Sequence, residues 1–481
     1  MLRLQGKINF IFERMRLKFK YKFTFSIAIC TALYGTFAYG LIRTEYFKLL
    51  GLYSILFLLF LVLMNSKINS ERLLTLASFL FRGIFILAIP NLSQDFYRFI
   101  WDGRIILEGF NPYLHTVTSF IEQGEFPVAQ AQELRNGMGD LNAGHFTNYP
   151  PINQLCFVIA GLFSGKSIIG AVVVLRLLII AADFGTLYFG KKLLKALNLS
   201  SKTIFWYILN PFIIIELTGN LHFEGVMVFF LIWSLYLLHQ QKWFWSAVVL
   251  ALSISVKLVP LLFLPIFFKW FVKGEPSIKK KYFGLEGFTK LIGFYIIVLG
   301  STALFFLPFY SNKFISNYTE TVALWFQNFE FNASLYYVAR EIGYLFRGYN
   351  EIATIGKTIP VLVFLFVLCI AFFRSNRHFI TIISSMVLAL SFYYFCSTTV
   401  HPWYIATLLI LSVFTKYKFP FVWSFIIILS YLAYVNLNKA DKSENLWVIT
   451  MEYIIVYAVF IWEVFIGKWY SLKKLKAKTQ N

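Results

Sequence analysis

Runs of about 20 apolar residues recur along the whole chain, and they restrict the fold more than any other feature does. A helix needs about 20 apolar residues to cross a hydrocarbon layer, somewhat fewer where the membrane thins around it, and every backbone N–H and C=O must there be satisfied within its own segment. The runs lie near 23–42, 49–64, 72–90, 167–189, 203–218, 222–239, 243–258, 259–272, 289–309, 357–373, 379–397, 402–415, 420–436 and 446–467. Hydrophobic residues make up 59% of the 481 and charged residues 14%, which excludes a soluble globular class. The expected fold is an all-α polytopic membrane protein with about 14 transmembrane helices.

A formal net charge of +21 does not point to nucleic acid, because the cations sit in short clusters between apolar runs. "KINSER", "KKLLKALNLSSK", "KWFVKGEPSIKKKY", "RSNR", "KYK" and the tail "KLKAKTQN" gather about 30 of the 44 Lys and Arg on one side, which the positive-inside rule makes cytoplasmic. The first 22 residues, with seven Lys and Arg and no cleavage site, are expected to stay as a cytoplasmic tail, and both termini lie inside. The long connections 91–149 and 310–356 then face outward. Residue 149 outside and Lys191 inside require an odd number of crossings between them, so the short run "PPINQLCFVIAGLF" is expected to lie flat at the outer face. "GLFSGKS" is one residue short of a phosphate-binding loop and follows no strand. Cys30, Cys156, Cys369 and Cys396 stand singly in apolar runs, with no metal or redox spacing.

Among the outward residues, "QDFYRFIWDGR" concentrates charge among aromatics. As a helix over 94–107 it sets Asp95, Arg98 and Asp102 on one narrow arc, with Phe96, Tyr97, Phe99, Ile100 and Trp101 on the other faces. Such a helix is expected to lie at the interface with its aromatics among headgroups. "EGFNPYLH" closes it at Gly109, and the paired prolines of "HFTNYPPINQ" start the flat helix. Two readings stay open on the helix alone: an ion-paired stripe that aids solubility, or an active site.

Other ionisable groups stand at the outer ends of apolar runs. Lys257 is a lone lysine followed by Pro260, and a charge so placed is functional by default, with snorkelling as the alternative. His401 precedes Pro402, so exposed helix amides and an imidazole face outward together; an interfacial anchor with Trp403 and Tyr404 is the competing account. His222 and Glu224, near "TGN", fit sugar hydroxyls, a charge network or a helix start. Arg340, after "FNASLYYVAR", suits a phosphate or a solvated loop, and Arg104 is equally open. Arg176 and Asp183 share a helix face and are expected to pair or mark a packing contact, with Arg82 and Glu216 as similar internal partners. Asp95, Asp102 and Glu224 offer oxygen ligands for a divalent metal, yet no tight acidic cluster demands one, so no cofactor is assigned.

The series D-x-Y-R-x-x-W-D-G-R, G-x-N-P-Y and Y-P-P, followed by "LNPFIIIELTGNLHFEG", "SVKLVPLLFLP" and "HPWYIATLLIL", resembles bacterial integral-membrane glycosyltransferases of the C type, in particular polyprenyl-phosphate-mannose-dependent mannosyltransferases. The resemblance runs over about residues 72–415 and implies a GT-C-like membrane core, with 1–71 and 416–481 as flanking hairpins and tails. It implies an acid in the first large outward loop acting as base toward an acceptor hydroxyl; that acid falls at Asp95, with Asp102 second. Relatives often carry H-x-D where this chain has His222 and Glu224. The implied partners are a polyprenyl-phosphate sugar donor, a lipid-linked or envelope-glycan acceptor and membrane lipids, at the outer face of a bacterial inner membrane. Arg98, Arg104, His222, Glu224, Lys257, Arg340 and His401 are the candidate substrate contacts. A polyprenyl-linked glycan flippase, or a scaffold for an envelope-glycan complex, would share the apolar groove without needing the base.

Overall fold

A computed structural model describes residues 2–66, 69–274, 284–438 and 444–467. Basic stretches at 275–283 and 468–481, and residues 67–68, lie outside the described residues. Among the described residues the chain is helical almost throughout, and one isolated bridge, Phe331 with Thr399, is the only strand-like pairing. Among the described residues, seven helices are long and apolar enough to cross a membrane: Tyr21–Gly40, Tyr46–Asn65, Ile168–Ala196, Leu285–Phe309, Ile352–Phe373, Phe379–Cys396 and Leu446–Ile466. An eighth forms if the pair Pro211–Gly219 and Glu224–His239, bent by 115°, is one span. The remaining apolar runs become shorter or broken helices. Pro151–Ser164, Trp243–Ile254, Pro402–Ser412 and Phe419–Val435 are each under 18 residues, and Pro260 and Pro265 hold Val259–Phe267 in a 3-10 helix.

The bent pair shows how the sequence breaks a helix inside an apolar bundle. Asn210 caps its start through Oδ1, which accepts from the Phe212 amide at 2.9 Å, and Pro211 takes the first turn, where no N–H is needed. Ile214–Gly219 then winds as a π-helix, and Leu221 at φ 63 turns the chain away. The break leaves carbonyls without intrahelical partners, and arginine supplies them. Arg176 Nε donates to the Thr218 carbonyl at 2.9 Å, Nη2 to Gly219 at 3.0 Å and Nη1 to Ile86 at 2.8 Å. Asp183 pairs with Arg82 instead, at 2.7 Å, and Arg82 also donates to the Ile208 carbonyl at 2.7 Å. The expected pairing of Arg176 with Asp183 is thus corrected: each finds a partner on another segment, because bringing three helices together offers better donors and acceptors than one helix face does. Glu216 takes the Tyr431 hydroxyl, at 2.8 Å, rather than Arg82.

The Asp95 helix spans Asp95–Leu107 and ends, as its sequence dictates, where Gly109 adopts φ 84 and Phe110 donates back to the Ile105 carbonyl at 3.1 Å. Its placement departs from expectation. Nine of its thirteen residues are buried, Phe96, Arg98, Phe99, Ile100, Trp101, Asp102, Gly103, Arg104 and Ile105, so it is an internal helix rather than one lying among headgroups. The rest of the outward loop causes this, because helices Ala131–Ala143 and Pro151–Ser164 pack over it. Gly103 permits the closest approach: a Cβ there would stand 2.1 Å from the Phe157 carbonyl oxygen. Phe99 stacks on Phe157 at 4.6 Å and meets Phe223 edge-on at 5.7 Å, joining this helix to the turn before Glu224.

Candidate active site

Four distant stretches bring the charged groups together. Asp95 is the first residue of its helix, where the free amides of the first turn favour a carboxylate. Glu224 opens helix Glu224–His239, just past the break that Arg176 holds. Lys257 follows Trp243–Ile254, whose terminal Ser255 carbonyl accepts the Ile152 amide at 2.9 Å; paired prolines at 150 and 151 lack amides, so the next residue makes the bond. His401 lies at the foot of Pro402–Tyr404, clamped from the second long loop by Phe331, whose amide donates to the Thr398 carbonyl at 3.0 Å and whose carbonyl accepts from the Val400 amide at 2.8 Å.

Lys257 Nζ is bonded to the Glu224 carboxylate and sits 5.0 Å over the Tyr404 ring. Trp403 is sandwiched between His222 at 3.7 Å and His401 at 4.6 Å, all three rings nearly parallel. His222 Nε2 stands 3.9 Å from Glu216, beyond hydrogen-bonding reach. Asp95, Lys257, His401 and Tyr404 each keep part of their surface accessible, whereas His222 and Glu224 are buried. Burial raises the Asp95 carboxyl to about 6 against the pull of the Lys257 ammonium, with Glu224 adding to the rise and Arg43 opposing it. Burial and then Lys257 push the His401 imidazole down to about 3, so the ring is neutral at physiological pH, and its Nδ1 has no hydrogen-bond partner.

Asp95, His222, Glu224, Lys257 and His401 therefore converge; the other candidates lie apart. Arg98 turns toward Asp102, Nε to Oδ1 at 2.7 Å, and donates to the Asn142 and His145 carbonyls. Asp102 is fully buried and takes Gln154 Nε2 at 2.9 Å, so this pair locks the loop helices together. Arg104, nine residues past Asp95 and so on about the opposite face, donates to the Ala129 carbonyl at 2.7 Å. Arg340 is not a solvated loop charge: it pairs with Glu330 at 2.7 Å and Glu341 at 3.0 Å. Among the described residues no three His, Cys, Asp or Glu side chains gather as a metal site. Sequence reasoning missed Arg43, Trp403 and Tyr404 as parts of the cluster. Arg43 had a readable signal, an isolated cation in "IRTEY" on the side otherwise poor in them.

Among curated proteins, alpha-(1->6)-mannopyranosyltransferase A of Mycobacterium tuberculosis (strain ATCC 25618 / H37Rv) is 23% identical over 186 residues, 38% of this chain. The match spans 34% of that protein's length. Residues 33–273 match the family described as alpha-(1->6)-mannopyranosyltransferase, N-terminal domain. That region is 241 of 481 residues and holds Arg43, Asp95, His222, Glu224 and Lys257, while His401 lies beyond it. By this match over just over half of its length, the chain belongs to the alpha-(1->6)-mannopyranosyltransferase family as that N-terminal domain defines it.

Proposed function

We propose that the protein transfers a hexose, mannose in particular, from a polyprenyl-phosphate carrier to a lipid-linked or cell-envelope glycan at the outer face of a bacterial inner membrane. Family membership supports the sugar and the transfer, and the charge asymmetry of the connections supports the orientation. The fold proposed with it is a GT-C-like bundle of about 14 crossings, the short and broken helices included, with the catalytic core over 72–415.

Asp95 is the proposed general base. As the acceptor oxygen attacks C1, Asp95 takes its proton; the bond from C1 to the phosphate oxygen breaks, and its electron pair leaves with the polyprenyl phosphate, inverting the anomeric centre. A well-placed carboxylate contributes roughly 10²–10⁴-fold to such a step. Lys257 and His401 face the phosphate, where negative charge grows, and His222 and Glu224 face the sugar hydroxyls. Arg98 and Asp102 act by fixing the helix that carries Asp95, and Arg104 and Arg340 serve as structural ties.

The observation that carries this reading is a partly accessible carboxylate, held near 6, beside the Glu224–Lys257 pair. Purified protein, polyprenyl-phosphate-mannose and extracted envelope lipids, read by mass spectrometry, test it. Asp95→Asn is expected to insert and bind donor normally and to form no new glycosidic bond. Full transfer by that variant would remove the base from position 95, and lipid movement without any transfer by the native protein would favour a flippase.

A further inference from the structure

We propose that Arg43 holds the phosphate of the polyprenyl carrier and that the apolar cleft beside it receives the first isoprene units; this deepens the donor assignment made above and rests on it. Arg43 lies on the turn between the first two helices, outside the segment expected to carry the chemistry. Asn91, four residues before Asp95, ties that turn to the site through Nδ2, which donates to the Phe37 carbonyl at 2.7 Å and the Leu41 carbonyl at 3.1 Å. The Arg43 guanidinium sits 4.4 Å over the Tyr434 ring, and its charge acts on Asp95.

Charge balance distinguishes Arg43 from the paired cations around it; Arg104 and Arg176 also lack a carboxylate among the described residues, but both are buried and donate to carbonyls. Lys257 is neutralised by Glu224, Arg98 by Asp102, Arg82 by Asp183 and Arg340 by Glu330. No carboxylate pairs with Arg43 among the described residues, and the side chain keeps part of its surface accessible. A phosphodiester brings one negative charge, so the unneutralised guanidinium is the group whose charge it balances. Its planar fork offers two parallel donors to phosphate oxygens, and the Tyr434 ring holds the guanidinium in place.

Geometry supplies the second half. The cleft is lined by Thr44, Tyr46, Phe47, Leu432 and Val435 together with the mutually paired Glu45 and Lys48, residues adjoining Arg43 on one side and Tyr434 on the other. It is open and apolar, and Phe47 is 87% exposed at its edge. A polyprenyl-phosphate sugar has one anion between a hydrocarbon tail and a polar head. Arg43 adjoins the cleft through its chain neighbour Thr44 and its ring partner Tyr434, and its charge is felt at the proposed base.

The test uses the full chain in lipid discs. A short polyprenyl phosphate without sugar is the binding probe, and polyprenyl-phosphate-mannose is the substrate. Arg43→Gln is expected to weaken probe binding and raise the donor KM by about ten- to hundredfold, the loss of a charge-assisted contact, with a smaller change in kcat. It should also move the acid limb of the rate profile above about 6, because Arg43 holds the Asp95 carboxyl down. Arg43→Lys should recover part of the affinity, and Lys192→Gln, an exposed cation bonded to the Tyr188 hydroxyl and outside the cleft, should leave it unchanged. A photoreactive analogue of the probe should label the peptides carrying Phe47 and Leu432, which keeps the proposal open to refutation if Arg43→Gln does not fold. Native probe affinity in Arg43→Gln, or labelling elsewhere, overturns it. Transfer that does not depend on Arg43 sinks this site and leaves the enzyme; Arg43-dependent binding without transfer sinks the enzyme and leaves the site.

Discussion

Gly103→Ala is the substitution whose effect follows most directly from the structure. An added Cβ would lie 2.1 Å from the Phe157 carbonyl oxygen and 2.4 Å from its carbonyl carbon, and real Cβ contacts essentially never fall under 3.0 Å. Helices Asp95–Leu107 and Pro151–Ser164 must therefore part by about 0.9 Å, the difference between 3.0 and 2.1. The obstruction is backbone, so no rotamer change relieves it. Overpacking of this kind costs about 1–3 kcal/mol. The same movement displaces Asp95, on the same helix, relative to the groups around it, and a displacement near 1 Å costs on the order of 10²-fold in rate. Thermal unfolding of the purified protein and kcat with polyprenyl-phosphate-mannose measure the two effects. Gly300→Ala, where nothing lies within 4 Å, serves as the control. A native midpoint together with native turnover in Gly103→Ala would refute the close-packing account of the D-G-R motif.

Three further outcomes are expected. The value of kcat/KM should rise with pH through about 6, since the base works only when ionised; Glu224→Gln removes a charge that raises the Asp95 carboxyl and releases Lys257, so the acid limb should fall below 6, and a profile that does not move contradicts the coupling. Asn332→Ala loses the bond from Nδ2 to Glu452 at 3.1 Å and puts alanine at φ 46, for a combined loss of about 2–3 kcal/mol, read as a lower unfolding midpoint and faster proteolysis of 310–356. Arg82→Met strands a buried Asp183 carboxylate and should destabilise by about 3–5 kcal/mol, while the double variant Arg82→Met with Asp183→Leu regains most of it; equal midpoints for the single and double variants would count against the pair.

Much of the site was legible because an apolar chain makes every ionisable residue conspicuous. Lys257, Glu224, His222 and His401 stood out at the ends of apolar runs, and they meet beside Asp95. The Asp95 helix was legible almost to the residue, since its end is a local matter of Gly109 and backbone bonds. What could not be read was which partner each charge takes across the bundle. Asp95, Arg98 and Asp102 share an arc in sequence, but Arg98 chooses Asp102, and Asp183 looks past Arg176 to Arg82. Periodicity fixes a face without saying what packs on it. The burial of the Asp95 helix followed the same limit: its aromatics suit headgroups and a protein interior equally well, and only the folding back of 131–164 decides between them.

Glu224 opens one helix and Lys257 follows the end of the next, so their charges cancel one another as soon as that hairpin has been made. Arg43 and Asp95 have no such early companion. The ring beneath Arg43, Tyr434, is synthesised hundreds of residues later. A ribosome feeding this chain into a bilayer therefore completes the surroundings of Arg43 last, and a nascent chain halted midway displays that arginine with no aromatic floor under it.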